Sequence, residues 1–145
     1  MNACGSTFSA TFRSSFIVGY PGETETDHDQ LLDFIERAQL DWCGFFAYSE
    51  EVGTYAATLD GQVDSALRSD RLAELREMQD GITAARRDLL IGSEVEVLVD
   101  ESGVGRTHRE APEIDGIVAV HHTLEVGSFV KLTVTNASGP DLEAM

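Results

Sequence analysis

The sequence predicts two architectures in series, an α/β unit followed by a small antiparallel β-barrel. Three observations predict it: two apolar, aromatic runs flanking a segment of helical period, a long helical stretch after them, and a switch to a period of two beyond Gly92. With 145 residues, the chain can form one ordinary domain or two small ones.

Residues 13–20, RSSFIVGY, form the first run, of the kind buried in parallel sheets, and Pro21-Gly22 ends it in a turn. Thr24 and Thr26 are candidate N-caps, each with an acid three positions on, Asp27 and Asp29. Leu31, Leu32, Phe34, Ile35 and Ala38 then recur at spacings of three and four, which predicts an amphipathic helix over 27–39. Residues 40–49, LDWCGFFAYS, are a second strand, so the segment is a βαβ unit with a right-handed crossover and must belong to a larger sheet. Residues 50–63 are polar and read as a loop. From Asp64 or Ser65, Leu72, Leu75, Met78, Ile82, Ala85 and Leu89 mark one helix of about 25 residues, with Gly92 as its C-cap. Beyond it Val95, Val97 and Val99 alternate with acids, and IVAV at 117–120 and FVKLTVT at 129–135 follow Asp115-Gly116 and Gly127. Short strands broken by glycine in this way indicate a small barrel, with the boundary near residue 91.

Composition bounds the function. Apolar residues are 42% and charged residues 25%, the profile of a folded chain. Twenty-six acids against ten bases give a net charge of −16, and only one base, Lys131, is a lysine. Residues 1–89 carry 16 acids and 7 bases, and residues 90–145 carry 10 and 3, so neither half is a basic module. Such a chain repels DNA, RNA and anionic lipid, and its field favours basic proteins or cations. Cys4 and Cys43, 39 positions apart, offer no disulfide framework or zinc spacing. No secretory signal and no apolar run of membrane-spanning length is present, which points to the cytoplasm.

No local motif announces a reaction. Gly19-Tyr20-Pro21-Gly22-Glu23 lies where strand meets helix, the usual ligand position of α/β folds, yet Pro21 removes a backbone donor and no lysine follows, so it is not a phosphate loop. His121 and His122, adjacent on an expected strand, would point to opposite faces. His28 is expected on the exposed side of a helix start and His108 in a loop, and neither accompanies a nucleophile. Glu50-Glu51 reads as a solvated pair in an acid-rich chain.

Taken together, SFIVGYPGETETD, FFAYSEEVGTYAA, the long Arg/Leu helix, IGSEVEVLVDE and HREAPEIDG resemble the C-terminal part of the radical-SAM methylthiotransferases, over residues 8–145. The leader MNACGST has no counterpart. The tRNA-modifying branch usually reads Y-S-P-R-P-G-T where this chain has Tyr48-Ser49-Glu50-Glu51-Val52-Gly53-Thr54, and Ala111-Pro112-Glu113-Ile114-Asp115-Gly116 is similar to the ribosomal-protein branch. The resemblance implies the end of a radical-SAM partial (β/α) barrel over 1–63, a connecting helix over 64–91 and a TRAM barrel, OB-like, over 92–145. It implies methylthio transfer to an aspartate of the basic small-subunit ribosomal protein S-twelve, using S-adenosylmethionine and two [4Fe–4S] clusters, with TRAM recruiting the substrate. An acidic barrel suits that partner, whereas a tRNA reader would carry the opposite sign. The tRNA-modifying branch and a free-standing binding module without catalysis are the alternatives.

The resemblance also places Ile17, Val18, Gly19 and Tyr48 near the adenine side of the nucleotide, as one wall of a cofactor pocket. Clusters need thiolate ligands. With the C-x-x-x-C-x-x-C run absent and two isolated cysteines, the chain is expected to hold neither cluster and to be inactive without the N-terminal half of the enzyme.

Overall fold

The computed structural model describes residues 10–145; Cys4 and the leader MNACGST lie outside the described residues. Strand β1 (Arg13–Val18) and strand β2 (Trp42–Ala47) are parallel, joined by helix α1 (Glu25–Ala38), in the register Arg13 with Trp42 through Val18 with Ala47. Both helices cover one face of this pair. Val18, Phe45, Ile35 and, from helix α2 (Ser65–Asp88), Leu75 and Ile82 form its core, and Phe16 stacks on Phe45 with ring centroids 5.9 Å apart.

Helix α1 starts where its sequence supplies a capping box. Thr24 is the N-cap: its N–H and hydroxyl both donate to Asp27 Oδ2 at 2.8 Å, and Asp27 N–H donates to Thr24 Oγ1 at 3.2 Å. These bonds hold the Asp27 carboxyl below its ordinary pKa.

Helix α2 runs antiparallel to β2 and fastens it with side chains. Arg68 donates to the Tyr48 carbonyl, Arg76 to that of Phe45 (3.0 Å), Gln79 to that of Leu40 (2.9 Å) and Thr83 to that of Asp41 (3.0 Å). The side of the sheet beyond β2 is therefore capped by helix side chains, while no strand pairs beyond β1 among the described residues. The face opposite the helices is bare: Ile17 and Phe46, neighbours across the pair, are 62% and 58% exposed.

The second half is a closed barrel of strands β3 (Glu94–Glu101), β4 (Val104–Arg106), β5 (Val118–Ala119), β6 (Phe129–Ser138) and β7 (Asp141–Ala144), in the order β3-β4-β5-β7-β6. Val95, Val97, Val118, Val134, Leu142 and Ala144 fill it. Pairing is antiparallel except between β5 and β7, which are parallel. Gly105 is obligatory, since a Cβ there would lie 2.5 Å from Val97 Cγ1 and 2.6 Å from the Leu98 carbonyl oxygen.

Several sequence expectations change here. Strand β3 ends at Glu101, and the turn at Gly103 leads at once into β4, which contains Gly105. The strand expected at 117–120 is reduced to Val118–Ala119, and β7 completes the barrel. Asp115-Gly116 is by type a hairpin dipeptide, but no hairpin forms there: the Asp115 carboxylate accepts from Ala111 N–H and pairs with Arg13. The long helix stops at Asp88 with Leu89 as C-cap, and Gly92 N–H donates instead to the Val134 carbonyl at 2.8 Å.

The halves are joined by a buried ion pair. Arg87, at the end of α2, pairs with Glu110, and both side chains are almost wholly buried. Glu110 also accepts from Thr107 N–H (2.6 Å) and its hydroxyl (2.8 Å), and the Arg87 guanidinium lies 5.3 Å over the Trp42 ring. Trp42 in turn donates its indole N–H to the Arg109 carbonyl at 2.7 Å.

Two predictions follow from these contacts. Arg87→Leu or Glu110→Leu alone leaves a buried charge unpaired and should cost about 3–5 kcal/mol, whereas the double substitution should recover most of it. Urea unfolding midpoints read this, and equal losses in singles and double would refute it. Asp27 has a folded pKa below its unfolded value of about 3.9, so its contribution is complete above that value and lost as pH falls through the lower folded one. Asp27→Ala should flatten the acid limb of the stability curve measured by circular dichroism between about pH 5 and 2.

Candidate functional site

The C-terminal ends of β1 and β2 form one edge, the position where α/β units present ligand-binding groups. Tyr48 N–H donates to the Val18 carbonyl at 2.8 Å, so the first residue after β2 is tied to the last of β1. The chain then turns through Gly19 at φ +79°, which favours glycine. Gly19 N–H donates to Glu23 Oε2 at 2.8 Å, and Glu23 N–H closes the turn on the Tyr20 carbonyl at 2.9 Å.

Glu23 is itself held. Its Oε1 lies 2.8 Å from Arg71, a buried residue of α2 that also reaches Glu25 at 2.9 Å. Hydrogen bonding to Arg71 lowers the Glu25 pKa, and the Glu25 bond raises that of Arg71. Arg68, one helical turn earlier, fills the space under Gly19: a Cβ at Gly19 would sit 2.6 Å from Arg68 Cγ. One end of α2 thus fixes both the Gly19 turn and the Tyr48 carbonyl.

The four residues expected at a cofactor wall are brought together with different exposures. Ile17 projects on the bare face, Val18 is fully buried against the helices, Gly19 is buried and Tyr48 nearly so. Tyr20 meets Tyr48 edge-on with centroids 5.5 Å apart. The Tyr48 hydroxyl is buried without a hydrogen-bond partner, and burial, with the charge of Glu50, raises its pKa. Sequence reading missed Glu23, Arg68 and Arg71. The position of Glu23, four residues after Gly19, was a usable signal, but an acid ahead of a helix reads as dipole complementation.

Two histidine expectations are corrected. His28 is buried rather than exposed, with Nε2 2.8 Å from Glu74 Oε2, because its side of α1 packs on α2. His121 and His122 lie outside any strand, and their rings approach to 4.4 Å instead of diverging. Among the described residues no cluster of three or more His, Cys, Asp or Glu is placed to hold a metal. Cys43 is the one described cysteine; burial pushes its thiol up to about 11, away from the thiolate that an iron ligand requires. The described residues do not fit an iron–sulfur cluster. No described helix is long and apolar enough to cross a membrane.

The barrel and the βαβ unit joined by a fastened helix define a two-part chain whose second part has a family. Residues 91–145 match the TRAM domain. Across its length the chain is similar to ribosomal protein uS12 methylthiotransferase RimO of Burkholderia thailandensis, 44% identical over 142 residues, covering 91% of this chain and 31% of that protein. The RimO proteins of Burkholderia vietnamiensis and Burkholderia multivorans are each 43% identical with the same coverage. The motif resemblance to methylthiotransferases of the ribosomal-protein branch is thereby shown, and the chain spans about a third of the length of the curated relatives it matches.

Gly19→Ala should destabilise the chain by about 1–3 kcal/mol, through backbone strain and overlap with Arg68. In the Arg68→Ala background the overlap is gone and only the φ cost remains, so the penalty should shrink. An unchanged penalty by urea titration would show that Arg68 does not fill this space.

Proposed function

We propose that this chain supplies the C-terminal portion of an enzyme that attaches a methylthio group to ribosomal protein uS12. Residues 1–63 contribute the last strands of a radical-SAM partial barrel, 64–91 the connecting helix and 92–145 a TRAM barrel that recruits the substrate. The observation that carries this reading is the asymmetry of the β1–β2 sheet. Helix α2 caps it beyond β2, while the β1 side and the face bearing Ile17 and Phe46 lack a partner among the described residues. A parallel pair with one covered face is what a β/α barrel looks like at its terminal strand. The identity to RimO proteins across 91% of the chain supports the same order of parts.

S-adenosylmethionine and two [4Fe–4S] clusters would belong to the complete enzyme, as the resemblance to its relatives implies. In this chain Ile17 offers its exposed side chain to the adenine side, Gly19 its turn, and Tyr48 a phenol near the same edge; Val18 holds the backbone of that wall from behind. With two cysteines in the sequence, and the half-buried Cys43 held as a thiol, cluster ligands must come from elsewhere. The chain alone is then a substrate-recruiting and pocket-completing portion that acts in the cytoplasm, without turnover of its own.

Charge favours uS12 over tRNA as partner. At −16, with both halves acidic, the chain attracts a basic ribosomal protein and repels phosphate. Retention of purified uS12 on the immobilised chain should be strong at about 0.02 M salt and weak at about 0.3 M, because the screening length falls below 10 Å above about 0.1 M. A tRNA gel shift in the absence of uS12 binding would overturn the assignment in favour of the tRNA-modifying branch. Anaerobic reconstitution with iron and sulfide should give no stoichiometric visible cluster absorbance.

A further inference from the structure

A cavity of about 130 Å³ lies where the α/β half meets the barrel. Asp41 and Trp42 line it at the start of β2, Thr11 ahead of β1, Arg86 and Arg87 at the end of α2, and Arg109 in the loop between β4 and β5. Its volume is below the roughly 300–1,000 Å³ of clefts that take organic ligands, and it matches a small ion instead. Tyr48 and the Gly19 edge follow the other end of the strand that Trp42 opens, roughly 20 Å away at about 3.3 Å per residue. The cavity is therefore separate from the proposed cofactor wall.

Its charge is opposite to that of the chain. Three of the nine arginines in a sequence of net charge −16 meet on this one wall, drawn from both halves. Asp41 is the one carboxylate of the lining, and both of its oxygens are taken: Oδ1 accepts from Arg86 Nε at 2.8 Å and Oδ2 from the Phe12 N–H at 3.1 Å. Arg87 is committed to Glu110.

What remains is a surplus of donors. Arg86, its side chain 37% exposed, reaches Asp41 through Nε, and its two terminal nitrogens have no hydrogen-bond partner among the described residues. Arg109 is half-buried and engages its neighbours through the main chain, its carbonyl accepting from Trp42 and its N–H donating to Thr107. The Arg109 guanidinium has no hydrogen-bond or ion-pair partner among the described residues. A guanidinium stays charged and cannot accept, so such a wall is complemented by an oxyanion, whose oxygens take the paired N–H groups of each fork. The end of a helix carries about half a negative charge, which opposes an anion, but Arg86 and Arg87 stand in the last turn of α2 and outweigh it.

We propose that this cavity binds a small oxyanion of the phosphate or sulfate type, held between Arg86 of α2 and Arg109 of the barrel half. Bound there, the ion bridges the two halves beside the Arg87–Glu110 pair. The inference does not depend on which protein the chain serves. A free ion is favoured over the backbone phosphate of a nucleic acid, because repulsion by the acidic chain grows with the charge of the ligand and is greatest for a polyanion.

Trp42 lines the cavity and is the chain's single tryptophan, so its emission reports occupancy. The full chain is titrated with sodium phosphate, with sodium sulfate and with a short single-stranded RNA, all at one ionic strength set with sodium chloride. Arg109→Gln and Arg86→Gln are titrated alongside. Arg37→Gln, at an exposed position of α1, controls for an equal loss of charge. Arg109→Gln preserves the main-chain carbonyl that holds the Trp42 indole, and circular dichroism checks that each variant is folded.

The expected result is a saturable Trp42 change with phosphate and with sulfate, accompanied by a rise in the thermal unfolding midpoint. Arg109→Gln and Arg86→Gln should each weaken binding by about tenfold or more, the loss that follows removal of a charged hydrogen-bond donor, while Arg37→Gln stays within about twofold of the parent. No saturable change with phosphate, or equal weakening by Arg37→Gln and Arg109→Gln, overturns the site. RNA binding that is tighter than that of phosphate and is lost in Arg109→Gln overturns the choice of a free ion.

Discussion

The two halves of this chain depend on one buried ion pair. Arg87 lies in the last turn of the α2 helix and Glu110 in the loop between β4 and β5, and both have given up water for each other. The exchange is favourable only where geometry is good and the other polar atoms are satisfied. Glu110 meets that condition through Thr107, whereas Arg87 leaves Nε and one terminal nitrogen without hydrogen-bond partners and instead lies over the Trp42 ring. Because Trp42 opens β2 and also donates to the Arg109 carbonyl, a single guanidinium sets the sheet, the helix and the barrel relative to one another.

Helix α2 organises the α/β half in the same manner from its other end. Arg68 and Arg71 secure the Gly19 turn and the Tyr48 carbonyl, Arg76 the middle of β2, and Gln79, Thr83 and Arg86 the loop before it. Such a segment reads in sequence as an ordinary amphipathic helix with a charged outer face. In the structure Arg68 and Arg76 donate to the Tyr48 and Phe45 carbonyl oxygens, which a neighbouring strand would otherwise have to satisfy, while Arg71, Arg86 and Arg87 pair with carboxylates.

The elements set by local pattern were legible: the βαβ unit from its two apolar runs, α1 from its spacing and cap, α2 from its length, and β3 from the alternation of valine with acid. What escaped was set by distant contacts. β4 and β7 are short, carry glycine or acids, and become strands only because β5 and β6 offer them a ladder. The orientation of His28 follows from how α1 crosses α2, and the approach of His121 to His122 from a turn that no periodicity marks. Ile17, Val18, Gly19 and Tyr48 could be grouped by resemblance, but the supporting Glu23–Arg71 contact joins residues 48 positions apart.

The one-sided capping of the sheet also limits how copies of this chain can adhere to one another. A sheet open along both margins can recruit neighbours without end, and fibres result. Here Arg68 and Arg76 of α2 close one margin, so among the described residues the open ladder has a valency of one. Two molecules meeting along β1 would satisfy each other's amides and leave nothing for a third, so that pairing there terminates at dimers.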